Sequence, residues 1–245
     1  MYINTTGLIL RETPYKESSK ILTVLTSSHG RLTVTAHGAL RKNSKIAAVT
    51  QLLTFSEMTL FQKKDRWTLT EARCIEQFIG LREHLESLAL GAYFAQLAEA
   101  VSDEDSPSAQ LLPLCLNALF ALSEQLNERE LIKPAFELRL MAISGFAPLI
   151  DHCYICHDQN PNRVYLDIAG GTITCERCGG GSGHSLGLGA LHAMRYIISC
   201  DGKKLFSFTL GDAAKKQLKA ATEGYLLAHL DRNFRTLEYY KGISL

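Results

Sequence analysis

The chain has 245 residues, 46% of them apolar, which is enough for one large domain or two small ones with a sizeable core and excludes a disordered chain. Lys and Arg exceed Asp and Glu by only one, so the overall charge names no class of partner. Residues 1–80 hold eleven Lys/Arg against six Asp/Glu, and the remainder fifteen against nineteen. A polyanion would therefore meet the basic front, although an excess of this size is also ordinary for a soluble domain.

The first residues, MYINTTGLIL, carry neither a basic n-region nor a cleavage site. The apolar run Leu111 to Leu122 is too short to span a bilayer and contains Asn117. The expectation is a cytoplasmic protein. In a reducing compartment its seven cysteines read as metal ligands or core rather than disulfides.

Strands come first. Gly7 to Arg11, Lys20 to Thr26 and Arg31 to His37 are rich in Ile, Val, Leu and Thr. In the third, Leu32, Val34 and Ala36 face one side while Arg31, Thr33, Thr35 and His37 face the other. Ser27 to Gly30 reads as a hairpin connection. A fourth strand from about Leu53 to Gln62 switches apolar parity between Phe55 and Met58, which predicts a bulge or sharp bend there. Lys63 to Arg66 is a tight turn into a fifth strand, Trp67 to Ala72, with Trp67 and Leu69 inward. Five short strands with polar turns fit a small closed barrel, and an OB-type barrel is preferred here to an SH3-like one.

After Phe78 the period becomes helical. Leu81, Leu85, Leu88, Ala92 and Ala95 form one stripe, and Leu112, Cys115, Leu119, Leu122 and Leu126 another. Phe136, Leu140 and Ile143 follow, and the pattern resumes at Leu188 to Ile198 and Leu218 to Ala228. Pro107 suits a first helical turn. The fold expected is multidomain α+β. A five-stranded OB-type barrel over residues 1–79 precedes a mainly helical body over 80–245, which carries a zinc-ribbon-like insert at 151–184.

That insert holds Cys153-x2-Cys156 and, eighteen residues on, Cys175-x2-Cys178. Two residues between thiols let one tight turn aim both sulfurs at a single ion, and two such turns complete a tetrahedron. Arg163 to Thr174 can form a hairpin turning at Gly170-Gly171, which returns the second pair to the first. The expectation is one structural Zn2+ per chain, with no open position and so no catalytic role. His152, His157 and His184 lie close by and could replace a ligand, but read first as surface or supporting groups. Cys74, Cys115 and Cys200 read as small buried hydrophobes.

In an OB-type barrel the loops joining strands one to two and four to five flank the ligand groove. Lys16 lies in the first of these; Lys63, Lys64 and Arg66 lie in the second. Arg41, Lys42 and Lys45 lie between strands three and four, and Arg31 faces outward on strand three. Together they form a candidate phosphate-binding set whose affinity would fall with salt. Tyr15 and Phe61 could offer stacking faces, though Phe61 could equally be core. There is no G-x-x-x-x-G-K-[ST], H-E-x-x-H or G-x-S-x-G motif, and no compact carboxylate set for a two-metal nuclease. No catalytic residue is assigned.

The stretches GLILRETPYKESSKILTVLTSSHGRLTVTAHGALRKNSK, residues 7–45, and LLTFSEMTLFQKKDRWTLTEARCIEQF, residues 52–78, closely resemble the N-terminal signature of the RecO recombination mediators. The order of barrel, helical body, paired-cysteine insert and closing helices is similar to that family along essentially the whole chain. The family usually has lysine where this sequence has His37, a group mostly uncharged near neutral pH. The resemblance implies a non-enzymatic protein of recombinational repair in the bacterial nucleoid. Such proteins bind single- and double-stranded DNA and anneal complementary strands. They act with RecR and the single-strand-binding protein to load the RecA recombinase, without a membrane or a small-molecule substrate. The competing readings are a zinc-braced interaction scaffold with incidental DNA contact, and a zinc enzyme with an unrecognised site.

Overall fold

The strands of the first 76 residues curl into one closed sheet in the computed structural model, which describes residues 1–104, 106–179 and 183–244. They are β1 (Tyr2–Tyr15), β2 (Ser19–Thr26), β3 (Arg31–Ala36), β4 (Phe55–Lys63) and β5 (Arg66–Glu76). The order round the barrel is β1-β2-β3-β5-β4, the OB-type order. Closure comes from a short parallel pairing of β3 with β5, Val34 with Trp67 and Thr35 with Thr68. Ile9, Leu22, Val24, Leu32, Val34, Met58, Leu60, Trp67 and Leu69 fill the interior. The period-two alternation of β3 and the inward Trp67 and Leu69 therefore hold.

Two expectations in the barrel are corrected. β1 runs fourteen residues, well beyond Gly7 to Arg11, because its polar ends still pair: Tyr2 with Phe61 on β4, and Tyr15 with Ser19 on β2. The irregularity predicted between Phe55 and Met58 falls at Phe55/Ser56, but the extra residue, Ile75, is on β5 and not on β4. β4 alternates without interruption, with Ser56, Met58 and Leu60 inward and Phe55 and Phe61 on the outer side. The parity break arose from reading Phe55 as core; the inward position belongs to Ser56, whose Oγ has no hydrogen-bond partner among the described residues. The extra residues sit on β5, where pairing skips Thr70 and Ile75, and on β1, where it skips Leu10. The bulge on β1 puts Leu8, Ile9 and Leu10 all under cover.

Packing divides the chain into two compact units, Met1–Ser123 with Phe234–Leu245, and Glu124–Asn233. This division differs from one at residue 79/80. In the first unit the barrel is joined by α1 (Leu85–Val101), α2 (Leu111–Ser123) and α7 (Arg235–Ile243). Tyr93 of α1 is fully buried and meets Phe234 edge to face at 6.0 Å, and Leu237 and Tyr240 of α7 are buried too. α7 escaped the sequence reading because its nine residues span too few turns for a stripe to stand out. Leu81 falls in a 3-10 turn before α1. Pro107 lies ahead of α2, whose first turn contains Pro113 instead; the Leu111 amide donates to Ser108 Oγ at 3.2 Å.

The second unit holds α3 (Arg129–Ile143), α5 (Leu188–Ser199), α6 (Asp212–Leu230) and the short α4 (Glu176–Gly179), with a three-stranded sheet of order β7-β6-β8. Those strands are β6 (Arg163–Asp167), β7 (Thr172–Cys175) and β8 (His184–Gly187). α3 is covered on nearly every side, and its buried Lys133 pairs with Glu137 at 2.7 Å and Glu223 at 2.8 Å. Thr222 Oγ1 donates to the second Glu137 oxygen at 3.0 Å. Each charge taken from water thus finds a partner. Among the described residues no helix is long and apolar enough to cross a membrane.

Candidate functional site

The hairpin β6–β7 turns as its sequence predicts. Gly171 takes φ +64°, its N–H donates to the Asp167 carbonyl at 2.9 Å, and a Cβ there would lie 2.8 Å from Tyr225 Oη. β7 ends on Cys175, and α4 carries Cys178 one turn further. The first pair lies in a tight loop closed by hydrogen bonds from the Cys153 amide to the Asp158 carbonyl and from the His157 amide to the Cys153 carbonyl, each 2.9 Å. The Tyr154 amide donates to the Ile173 carbonyl at 2.8 Å, which ties this loop to β7. β8, His184–Gly187, adds a third strand that the sequence left unassigned. The glycine run Gly179 to Gly183, which the sequence suggests is a flexible exit from the insert, lies partly outside the described residues.

As a result the four thiol sulfurs of Cys153, Cys156, Cys175 and Cys178 lie within 4.8 Å of one another. Cys156 and Cys175 are 3.7 Å apart, and the Cys175 amide donates to Cys153 Sγ at 3.3 Å. A tetrahedral ion bonded to four sulfurs at ~2.3 Å needs them about 3.8 Å apart, so this set fits one metal ion. No histidine belongs to the cluster; His152 and His157 face each other outside it, ring centres 5.1 Å apart. Burial alone would raise the Cys153 thiol, but backbone N–H groups of Cys156, Cys175 and Ile155 bring it down to about 6. Its neighbour Cys178 is pushed up to about 12 by its hydrogen bonds with Cys156 and Cys175. Thiolates so crowded repel one another, and a divalent cation removes that conflict. Of the isolated cysteines, Cys115 is buried as expected, whereas Cys74 is exposed and Cys200 half-buried.

The register of the barrel sorts the basic residues into two groups. Ala36, the last residue of β3, pairs with Lys20 at the start of β2, so the β1–β2 turn and the exit from β3 share one end of the barrel. β5 runs parallel to β3, with Val34 opposite Trp67, so the β4–β5 turn lies at the other end, beside the start of β1, where Tyr2 pairs with Phe61. A hydrogen bond from the Leu40 amide to the Ser18 carbonyl, 3.0 Å, joins the first two. Lys16, Arg41, Lys42 and Lys45 are exposed at the first end and Lys63, Lys64 and Arg66 at the second, and none of the seven pairs with a carboxylate among the described residues. Lys16 Nζ stands 5.2 Å over the Tyr15 ring.

Arg31 is the exception. It sits at the start of β3, half-buried, with Nη1 donating to the Glu99 carbonyl at 3.0 Å and Nη2 3.7 Å from the Glu104 carboxylate. Its amide also donates to the Asp103 carbonyl at 3.0 Å. Arg31 braces the barrel against the end of α1 instead of standing in solvent with the other cations, a role that strand parity could not reveal because its partners lie some seventy positions away. Tyr2 is a site residue that the sequence reading missed. It is 65% exposed and packs on Phe61 with ring centres 4.7 Å apart, beside the β4–β5 turn. Its signal, an aromatic at the start of a polar strand end, is weak until the register of β1 with β4 is known.

The chain matches the family model described as Recombination protein O N terminal over residues 1–78, and that described as Recombination protein O C terminal over residues 82–238. It is 30% identical to the DNA repair protein RecO of Acetivibrio thermocellus over 245 residues, covering 99% of this chain and 98% of that one. It is 27% identical to the DNA repair protein RecO of Caldicellulosiruptor bescii, covering 99% of each. It is 29% identical to that of Alkaliphilus metalliredigens, covering 99% of this chain and all of the other. The exposed basic turns of the barrel and the paired-cysteine insert thus sit in a chain matched from end to end, and the chain belongs to the RecO family of DNA repair proteins.

Proposed function

We propose that this protein is a non-enzymatic mediator of recombinational repair, which binds single- and double-stranded DNA through the exposed basic turns of the barrel and anneals complementary strands. The observation that carries this reading is the set of seven exposed cations, without a carboxylate partner among the described residues, on the connections at the two ends of the OB-type barrel, which flank its ligand face. Such a set takes up phosphates, releases counterions and reads no sequence. Holding one strand by its phosphates leaves base edges free, and neutralising phosphate lowers repulsion against an incoming strand. No bond is made or broken, so these basic turns need no nucleophile or general base.

In this reading the four thiolates hold one zinc ion. Cysteine sulfur in a closed tetrahedral set favours that metal, which would brace the insert and supply its folding free energy. Membership of the RecO family supports RecR, the single-strand-binding protein and, indirectly, a RecA filament as partners, in the cytoplasm at the nucleoid. Residues 1–79 would act as the DNA-binding domain and 80–245 as a helical domain carrying the insert.

Titration of labelled single strands with the purified protein across a salt series tests the reading. Affinity should fall steeply and log-linearly with salt. Binding that ignores salt, or that is absent at low salt while a protein partner is still bound, would replace it with an interaction scaffold.

A further inference from the structure

The outer side of the barrel next to the β4–β5 turn carries a pair of aromatic rings that the electrostatic mechanism does not use. Tyr2 and Phe61 are direct cross-strand partners of β1 and β4, so their side chains leave the sheet on the same side. Their ring centres are 4.7 Å apart with planes tilted by 43°, and 65% of Tyr2 remains open to solvent. Phe61 and Lys63 are two residues apart on β4 and point the same way. Lys63 pairs in turn with Arg66, so two unpaired cations border the rings, with Lys64 at the turn tip. Asp65 is the one acid in that turn, which stays net positive.

Across the sheet from the rings the partners are small. Phe61 pairs with Thr68, and Thr68 pairs with Thr35, so no bulky side chain walls the rings off on that side. A cross-strand aromatic pair kept only to hold two strands together gains most when its faces are covered. Here Tyr2 is mostly open while Phe61 is half-buried, and the charge beside them is net positive. Aromatic faces take any base, and adjacent cations take the phosphates that link them. A duplex offers no such ligand, because its bases are already stacked and paired.

We infer that Tyr2 and Phe61 form a stacking platform for the bases of single-stranded DNA, so that a strand held at the β4–β5 turn continues over the outer side of β1 and β4. The platform makes the site selective for unpaired strands. It also splays bases outward as annealing requires. This inference rests on the DNA-binding reading above.

The test compares a thymidine oligonucleotide with an abasic one of the same length and charge, at fixed low salt, using the full chain. Wild type should bind the thymidine strand the more tightly. Tyr2→Ala with Phe61→Ala should weaken that binding about tenfold, the scale of one lost base stack. Affinity for the abasic strand and for duplex should be unchanged, as should the salt slope. Tyr2→Phe should bind like wild type. Equal binding of the two oligonucleotides by wild type would overturn the platform without touching the electrostatic reading, and this comparison needs no variant to fold. Equal losses on both oligonucleotides, or none on either, would also overturn it. Failure of wild type to bind either strand would remove the DNA-binding reading, and the platform with it.

Discussion

The backbone N–H of Cys175 donates to the sulfur of Cys153 across 3.3 Å, so the chain docks the second cysteine pair on the first before any ion is considered. Such N–H donors favour thiolate over thiol, and the four sulfurs then make a closed set. Purified protein should contain about one zinc per chain. Cys175→Ser should lose that metal and deprotect backbone amides of the insert in hydrogen exchange, while β1–β5 stay protected. Full metal content in the variant would place the ion elsewhere.

Lys63, Lys64 and Arg66 stand exposed at a two-residue turn, without acidic partners among the described residues. Reversing all three to Glu should weaken single-strand binding more than tenfold at low salt and flatten the salt slope. Thermal stability should change little, since exposed turn charges contribute on the order of 0–1 kcal/mol to folding. Calorimetry on the variant separates lost binding from lost folding.

Lys133 carries a different kind of charge, buried against Glu137 and Glu223. Lys133→Met leaves Glu137 buried and uncompensated, and denaturation should show a loss of about 3–5 kcal/mol. Adding Glu137→Leu should recover much of it. Burial would lower the Lys133 value, but its two carboxylate neighbours outweigh that and raise it. Its contribution is therefore complete below the unfolded value of about 10.4 and is lost as pH rises through the raised folded value. Stability measured from pH 6 to 9 should show no step from this group.

Gly30 holds φ +62°, and a Cβ there would lie 2.7 Å from the Asp103 carbonyl oxygen and from the Ser106 nitrogen. Both atoms are backbone, so neither yields by rotating a side chain. Gly30→Ala should destabilise the protein by about 1–3 kcal/mol, read from its unfolding midpoint. Arg31→Ala should also destabilise, with single-strand affinity nearly unchanged, because its guanidinium serves Glu99 and Glu104.

Local patterns carried the strands, the turns and the cysteine pairs, because each depends on neighbours within a few positions. Trp67 and Leu69 could be placed inward by parity, and Gly171 by the turn that its hairpin needs. Residues whose role depends on distant partners were not legible. Arg31 sits on the outward parity of β3 like His37, yet α1 claims it; Tyr2 gains meaning only when β1 pairs with β4. Phe55 misled because an outward aromatic beside an inward serine inverts the usual pattern, and a bulge was the simpler reading. The grouping of α1, α2 and α7 with the barrel is a matter of long-range packing, which a change of period at Phe78 cannot foretell.

Strand annealing, followed with two complementary labelled oligonucleotides and purified protein in the absence of nucleotide, tests the central claim most directly. The account predicts annealing that needs no ATP, fades as salt rises and is lost in the Lys63→Glu, Lys64→Glu, Arg66→Glu variant. Annealing that persists undiminished in that variant, or a protein that neither binds nor anneals DNA at low salt, would contradict it.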